Sequence, residues 1–158
     1  MADATFEEGR EAPLNLGAQE EEDLKVISAL VQDSVFPVTE MRWQASRHRF
    51  ALLVNRFRWE DRAAAERRGR DFERVQSLLV VDNVLGVASQ GVDRSDKDVI
   101  LSLLSVTFEP GEDGAGHLLL TLAGDGAIRL SVEALDVTLK DVTRPYRAPS
   151  GHVPQHGD

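Results

Sequence analysis

The sequence predicts an α+β protein that is mainly β. One N-terminal helix precedes six or seven antiparallel strands, which form a curled sheet or a partly open barrel. Three observations lead there. Apolar residues recur at helical spacing once, between Leu24 and Val31. From Val35 onward the apolar period is two. No helical pattern separates the short strands, so neighbours in sequence pair as an antiparallel meander. Such a sheet needs its apolar face covered or closed. The helix is one cover, and curling is the other.

The 158 residues suggest one domain. Residues 1–19 mix acids, Gly and Pro without periodicity and read as a disordered leader. Residues 144–158 are rich in Pro and Gly and read as a disordered tail. The expected folded domain is therefore 20–143, long enough for a real core.

The helix opens on Glu20-Glu-Glu-Asp23, negative charge where the helix dipole favours it. Leu24, Ile27, Leu30 and Val31 form its apolar stripe, with Val26 beside them. Phe36 and Val38 then lie on one face of a strand, and Val35, Met41 and Trp43 on the other. Pro37 has no amide donor, which suits an edge or a bulge. A turn near Ala45-Ser46 leads to a strand with Phe50, Leu52 and Val54 on one face. Arg49, Ala51, Leu53, Asn55 and Phe57 take the other. Residues 61–71 are a flexible loop or a short helical turn.

Residues 72–90 are apolar and β-branched, with a turn at Asp82-Asn83. A loop follows at Gly91–Lys97. Val99–Phe108 is a strand buried on much of both faces, with Ile100, Leu104, Val106 and Phe108 on one side. The clearest element is a hairpin. Leu118, Leu120 and Leu122 alternate with His117, Leu119 and Thr121, Gly124-Asp-Gly126 makes the turn, and Ile128, Leu130 and Val132 return. After Glu133-Ala134 the apolar phase slips by one, to Leu135, Val137 and Leu139. A slip of one is the work of a bulge, so the strand should bend there.

The composition excludes several chemistries. With no cysteine there is no disulfide, thiolate or Cys-based metal site. No window approaches 18 consecutive apolar residues, so no transmembrane helix is expected. The first ten residues lack the basic start and apolar run of a secretory signal, and the expected location is cytoplasmic. No phosphate-binding, dinucleotide, zinc-protease or nucleophile-elbow motif occurs. Gly111–Gly116 contains a G-x-G but joins two strands, so it reads as a loop. His48 and His117 are too isolated to make a metal site. Glu60-Asp61 reads as a surface turn rather than a catalytic pair, and no serine stands in a recognisable relation to a histidine. No cofactor, metal ligand or catalytic residue is assigned.

Charge is unevenly distributed. The chain carries a net −9, yet residues 42–74 hold 10 basic and 5 acidic residues, and every basic one is arginine. Guanidinium suits bidentate carboxylate or phosphate recognition and stacking on aromatics. The expected binding surface is Arg47–Arg74, with Arg56, Arg58, Trp59, Arg62, Arg67, Arg68 and Arg70 as its residues. Its partner would be an acidic protein or an anionic small molecule, met by a non-enzymatic interaction module. The net negative charge disfavours nucleic acid and anionic membranes; self-association is compatible with the sequence. In the competing account these arginines neutralise the chain's own acids, such as the Glu20–Asp23 cluster. Two other functions stay open. An enzyme with a cryptic site would show a deep pocket with two or more perturbed titratable groups. A single-stranded nucleic-acid platform would use Trp43, Phe50, Phe57 and Trp59 among the arginines.

Four stretches also carry a resemblance. They are Asp23-Leu-Lys-Val-Ile-Ser-Ala-Leu-Val-Gln-Asp33, Arg49-Phe-Ala-Leu-Leu-Val-Asn-Arg-Phe-Arg-Trp-Glu60, Leu101-Ser-Leu-Leu-Ser-Val-Thr-Phe-Glu109 and Gly126-Ala-Ile-Arg-Leu-Ser-Val-Glu-Ala-Leu-Asp136. Together they resemble an uncharacterised, mainly alphaproteobacterial domain-of-unknown-function family, DUF 2948, over about residues 20–142. The Asn-Arg-Phe-Arg-Trp-Glu segment is the most distinctive part. The resemblance implies a cytoplasmic bacterial protein and brings no activity, ligand or catalytic residue with it.

Overall fold

Eleven strands and two helices make up the structure, a computed structural model that describes residues 12–149 and 152–154. The strands are β1 (Asn15–Ala18), β2 (Ser34–Pro37), β3 (Met41–Gln44), β4 (Arg49–Phe57), β5 (Glu73–Val81), β6 (Val84–Gln90), β7 (Ile100–Pro110), β8 (Gly116–Leu122), β9 (Ala127–Val132), β10 (Val137–Asp141) and β11 (Tyr146–Arg147). Helix α1 is Glu21–Val31 and helix α2 is Arg62–Arg68. All pairings are antiparallel, in the order β1-β10-β5-β4-β2-β7-β8-β9-β6, with β3 added to β4 and β11 to β5. The path begins at β1 and ends at β6, so the sheet is open.

It is also curled, and the chain shows how. β5 runs into β6 across Asp82-Asn83, yet the two strands lie far apart in the strand order. β5 pairs with β10, and β6 pairs with β9. One ribbon therefore turns a corner at Asp82-Asn83 and at 133–136. Two backbone hydrogen bonds pin the corner, Asp82 N–H to Asp136 O and Glu133 N–H to Asn83 O, each 2.9 Å. The apolar slip after Glu133-Ala134 lies at this bend.

Leu24, Ile27 and Val31 of α1 join Phe50, Leu52, Val54, Leu79, Leu118, Leu120, Ile128 and Leu130 in one buried cluster. Val26 faces solvent. The helix lies over β7, where Ser28 Oγ accepts a hydrogen bond from the Val106 amide at 2.9 Å. The β8–β9 hairpin forms as the alternation predicts. Leu118 pairs with Leu130 and Leu120 with Ile128, and Gly124 and Asp125 turn with positive φ.

The strand count exceeds the expected six or seven because β1 and β11 lie in the expected leader and tail, while the sequence reads β3 and β10 as parts of longer strands. β1 lies inside the expected leader. Its Ala18 is buried, and its whole length pairs with β10. β11 lies inside the expected tail, where Tyr146 pairs with Arg74 and Ala148 is buried. β3 has four residues, and the bend makes β10 a strand of its own. The ends of the expected leader and tail, residues 1–11, 150–151 and 155–158, lie outside the described residues. A second difference is α2, which settles 61–71 as a short helix closed by left-handed Gly69.

In β7 the expected face breaks. A bulge at Leu104, between the Leu103–Leu122 and Ser105–Thr121 pairs, shifts the phase. Leu103 and Val106 consequently point inward together, and Ile100 is exposed. Pro37 ends β2 opposite Ile100, beyond the single Val35–Asn55 pair that joins β2 to β4, so its missing donor breaks no ladder there.

Candidate functional site

The expected arginine surface divides in two when folded. Arg56 is completely buried, since it shares β4 parity with Phe50, Leu52 and Val54. Its Nη1 and Nη2 donate to the two oxygens of Glu60 at 2.9 and 2.8 Å. Nη2 also donates to Asp141 Oδ1 at 3.0 Å, and Nε donates to Ser77 Oγ at 2.9 Å. Ser77 Oγ donates in turn to Asp141 Oδ1 at 2.6 Å, and the Leu14 amide donates to Asp141 Oδ2 at 2.9 Å. Burial opposes the Arg56 charge, but the hydrogen bonds and charges of Glu60 and Asp141 outweigh it and raise its pKa.

Arg58 and Arg70 behave alike. Arg58 is buried and pairs with Glu73, with Glu60 at 3.8 Å and Asp61 at 3.9 Å. Arg70 clasps Asp61 with two bonds of 2.9 Å. Asp61 is itself buried, so of the expected surface turn only Glu60 is exposed, and both carboxylates anchor arginines. Trp59 donates its indole N–H to Gln32 O at 2.9 Å and packs edge-on against Phe57 at 4.7 Å. These arginines answer acids of their own chain. The acids are Glu60, Asp61, Glu73 and Asp141 rather than the Glu20–Asp23 cluster named in the competing account.

Arg62, Arg67 and Arg68 remain on the solvent side of α2. Arg62 pairs with Glu66 one turn on at 3.1 Å. Beside this region Arg74 reaches Asn55 O at 3.1 Å and Asn55 Oδ1 at 3.2 Å. Its pKa is lowered by burial, against the pull of Tyr146 and Asp33.

The four aromatic residues do not share one face. Phe57 and Trp59 pack together at the α2 end of β4. Phe50 is buried seven residues away, about 23 Å along an extended strand. Trp43 is beside Phe50, paired across β3 and β4.

At that opposite end lies a cavity of about 320 Å³ lined by Val38, Met41, Trp43, Phe50, Val87, Ser89, Arg94 and Ile128. Its lining is graded. Val38, Phe50 and Ile128 are buried, whereas Ser89 and Arg94 are exposed and Trp43 is 38% exposed. One lining residue is charged, Arg94, in the loop after β6. Arg94 makes no ion pair or hydrogen bond among the described residues. The acids near it are engaged locally: Asp93 accepts from the Ser95 hydroxyl and amide, and Asp96 accepts from the Asp98 amide. The Ser95 hydroxyl holds the Asp93 carboxyl below its ordinary pKa.

This size suits a small molecule, and the mouths of curled sheets are a common place to find one. The enzyme signature stated above, two or more perturbed titratable groups in a pocket, does not describe a lining with one cation. Among the described residues no three histidine or acidic side chains converge on a possible metal position. No helix among them is long and apolar enough to cross a membrane.

Residues 14–156 match a family model described as "Protein of unknown function (DUF2948)". The chain belongs to the DUF2948 family. No curated protein and no solved structure matches it. The DUF2948 match extends beyond the 20–142 resemblance at both ends, and so takes in β1 and β11. Both strands hold sheet positions, which gives the longer DUF2948 boundaries a structural reason.

Sequence reasoning missed Arg94, Met41, Val87 and Ser89 as a group, because three separate segments, β3, β6 and the loop after β6, bring them together. It had singled out Trp43 and Phe50, but as members of the arginine region. A signal for Arg56 did exist: its even parity with Val54 on a strand whose even positions face inward.

Proposed function

We propose that this protein is a non-enzymatic binding module of the bacterial cytoplasm, and that an anionic small molecule occupies the cavity between Trp43 and Arg94. One observation carries the reading: a cavity of about 320 Å³ with apolar side chains at its floor and a single cation at its rim that has no partner among the described residues. The buried arginines support it indirectly. Each is used up by carboxylates within the fold, so they frame the domain and leave Arg94 as the cation at hand. The test is an amide NMR titration with small organic acids at millimolar concentration. The reading expects shifts gathered on Met41, Trp43, Val87 and Arg94. Saturating titrations that leave these four amides unmoved would reject it.

A second reading rests on α2. Arg67 lies on its exposed side without an ion pair among the described residues, next to Arg68, in a chain of net −9. Segregated charge of this kind orients encounters with acidic proteins. Titration with poly-glutamate tests it. Salt-sensitive shifts at Arg67 and Arg68, lost in Arg67→Glu/Arg68→Glu, would favour this surface over the cavity.

A further inference from the structure

Resting on the cavity reading above, we propose that the site is selective for a monocarboxylate with a compact apolar body, inserted apolar end first, its carboxylate on the Arg94 guanidinium. The gradient in the lining sets the orientation. The floor is Val38, Phe50 and Ile128, all buried, and offers no polar atom from a side chain. A charged group pushed to the floor would lose its hydration without gaining a partner. The rim carries the Ser89 hydroxyl and the Arg94 guanidinium, beside Trp43 with its indole N–H. A ligand polar at one end and apolar at the other fits in one direction.

The charge count sets the class. One guanidinium matches one negative charge, and its planar fork matches the two oxygens of a carboxylate. A dianion such as a phosphate monoester would be half unpaired. Trp43 and Phe50 supply ring faces and Met41 a flexible thioether, which adapts to the shape of an aromatic or short branched body. The volume holds about one such body and excludes long acyl chains.

The test compares naphthalene-2-carboxylate with naphthalene-2-carboxamide, a pair alike in shape and different in charge. Binding is read by amide NMR and by tryptophan fluorescence in the full chain. The expected result is that the carboxylate binds about tenfold more tightly, roughly 1.4 kcal/mol. Arg94→Gln should erase that preference while the carboxamide affinity stays put. Arg94 is exposed and has no partner among the described residues, so the variant should keep the wild-type spectrum elsewhere. Arg67→Gln/Arg68→Gln should change nothing. If the two probes bind alike in the cavity, or Arg94→Gln keeps the preference, the monocarboxylate class is overturned and the cavity reading survives. If neither probe shifts the cavity amides, both fall. If the anion's preference disappears in the Arg67/Arg68 variant instead, the anion is read by α2 and the proposal is overturned.

Discussion

Arg56 and Arg94 differ in one respect that decides what each can do. Arg56, at the α2 end of β4, is buried and meets Glu60, Asp141 and Ser77 within hydrogen-bond distance. Arg94, at the rim of the cavity near the other end of β4, meets no carboxylate among the described residues. In sequence the two look alike, and Arg56 looks the more promising, since it belongs to a dense basic run. Folding reverses the ranking. A buried charge must be paired, so a dense run on a strand with an inward face recruits acids from its own chain. A charge with no pair among the described residues, as at Arg94, is the one we propose for a ligand. Local density of charge is therefore a poorer guide to function than the supply of internal partners.

The largest expected effect comes from breaking the saturated end. Arg56→Ala leaves Asp141, largely buried, without its cation and Glu60 with only Arg58 at 3.8 Å, and should cost about 3–5 kcal/mol in urea unfolding. The loss should persist at high salt, because a buried pair is screened little. A cost below about 1 kcal/mol would mean that the cluster is solvated and that the two ends do not differ in kind. For the same reason a variant that includes Arg58→Glu should lose stability rather than merely lose a partner.

Leu120→Ala and Leu130→Ala measure the apolar core that the two ends share. Both side chains are fully buried in the β8–β9 hairpin, and each truncation should cost roughly 2–5 kcal/mol. Thr121→Ala, in the same strand on the other face, is the control. Equal melting temperatures for Leu120→Ala and Thr121→Ala would mean that the register is wrong.

Removing residues up to Ala18 sharpens the account of the saturated end. The truncation strips the β1–β10 ladder, uncovers the core beside buried Ala18 and removes the Leu14 amide from Asp141. Several hydrogen bonds and an apolar edge go together, so more than about 2 kcal/mol should be lost. A truncated chain that melts with the full one would show that β1 does no more than lie on the edge.

What was legible in the sequence follows from range. The β8–β9 hairpin declared itself because its alternation and its Gly-Asp-Gly turn lie within seventeen residues of chain, Gly116 to Val132. α1 declared itself through an uninterrupted stripe. β1 did not, because the alternation of Leu16 and Ala18 with Asn15 and Gly17 is too short to stand out and owes its place to β10 across the chain. The β7 face was misread up to the bulge at Leu104, where Leu101 and Leu103 turn to the core in place of Ile100 and Leu104, because a bulge depends on how β8 pairs; Val106 and Phe108 beyond it face the core as expected. Glu60 was near enough to suggest a partner for Arg56, but Asp141 lies 85 residues away. The cavity was the least legible feature, since it needs β3, β4, β6, β9 and the loop after β6 at once.

The smallest stability effects belong to exposed arginines, and they make the sharpest comparison. Arg62→Ala removes a helical pair with Glu66 whose side chains are about half exposed, and should cost no more than about 0.5 kcal/mol. Arg94→Gln removes no pair and should fall within about 0.5 kcal/mol of wild type in urea. Thermodynamically the two substitutions should be nearly indistinguishable. They should separate in binding: Arg62→Ala keeps the preference for naphthalene-2-carboxylate over its amide, and Arg94→Gln loses it. Stability alone would call both residues dispensable. If Arg94→Gln instead destabilised the chain by more than about 1 kcal/mol, its guanidinium would have an internal partner after all. Arg94 would then belong with Arg56, and the contrast between the two ends of β4 would collapse.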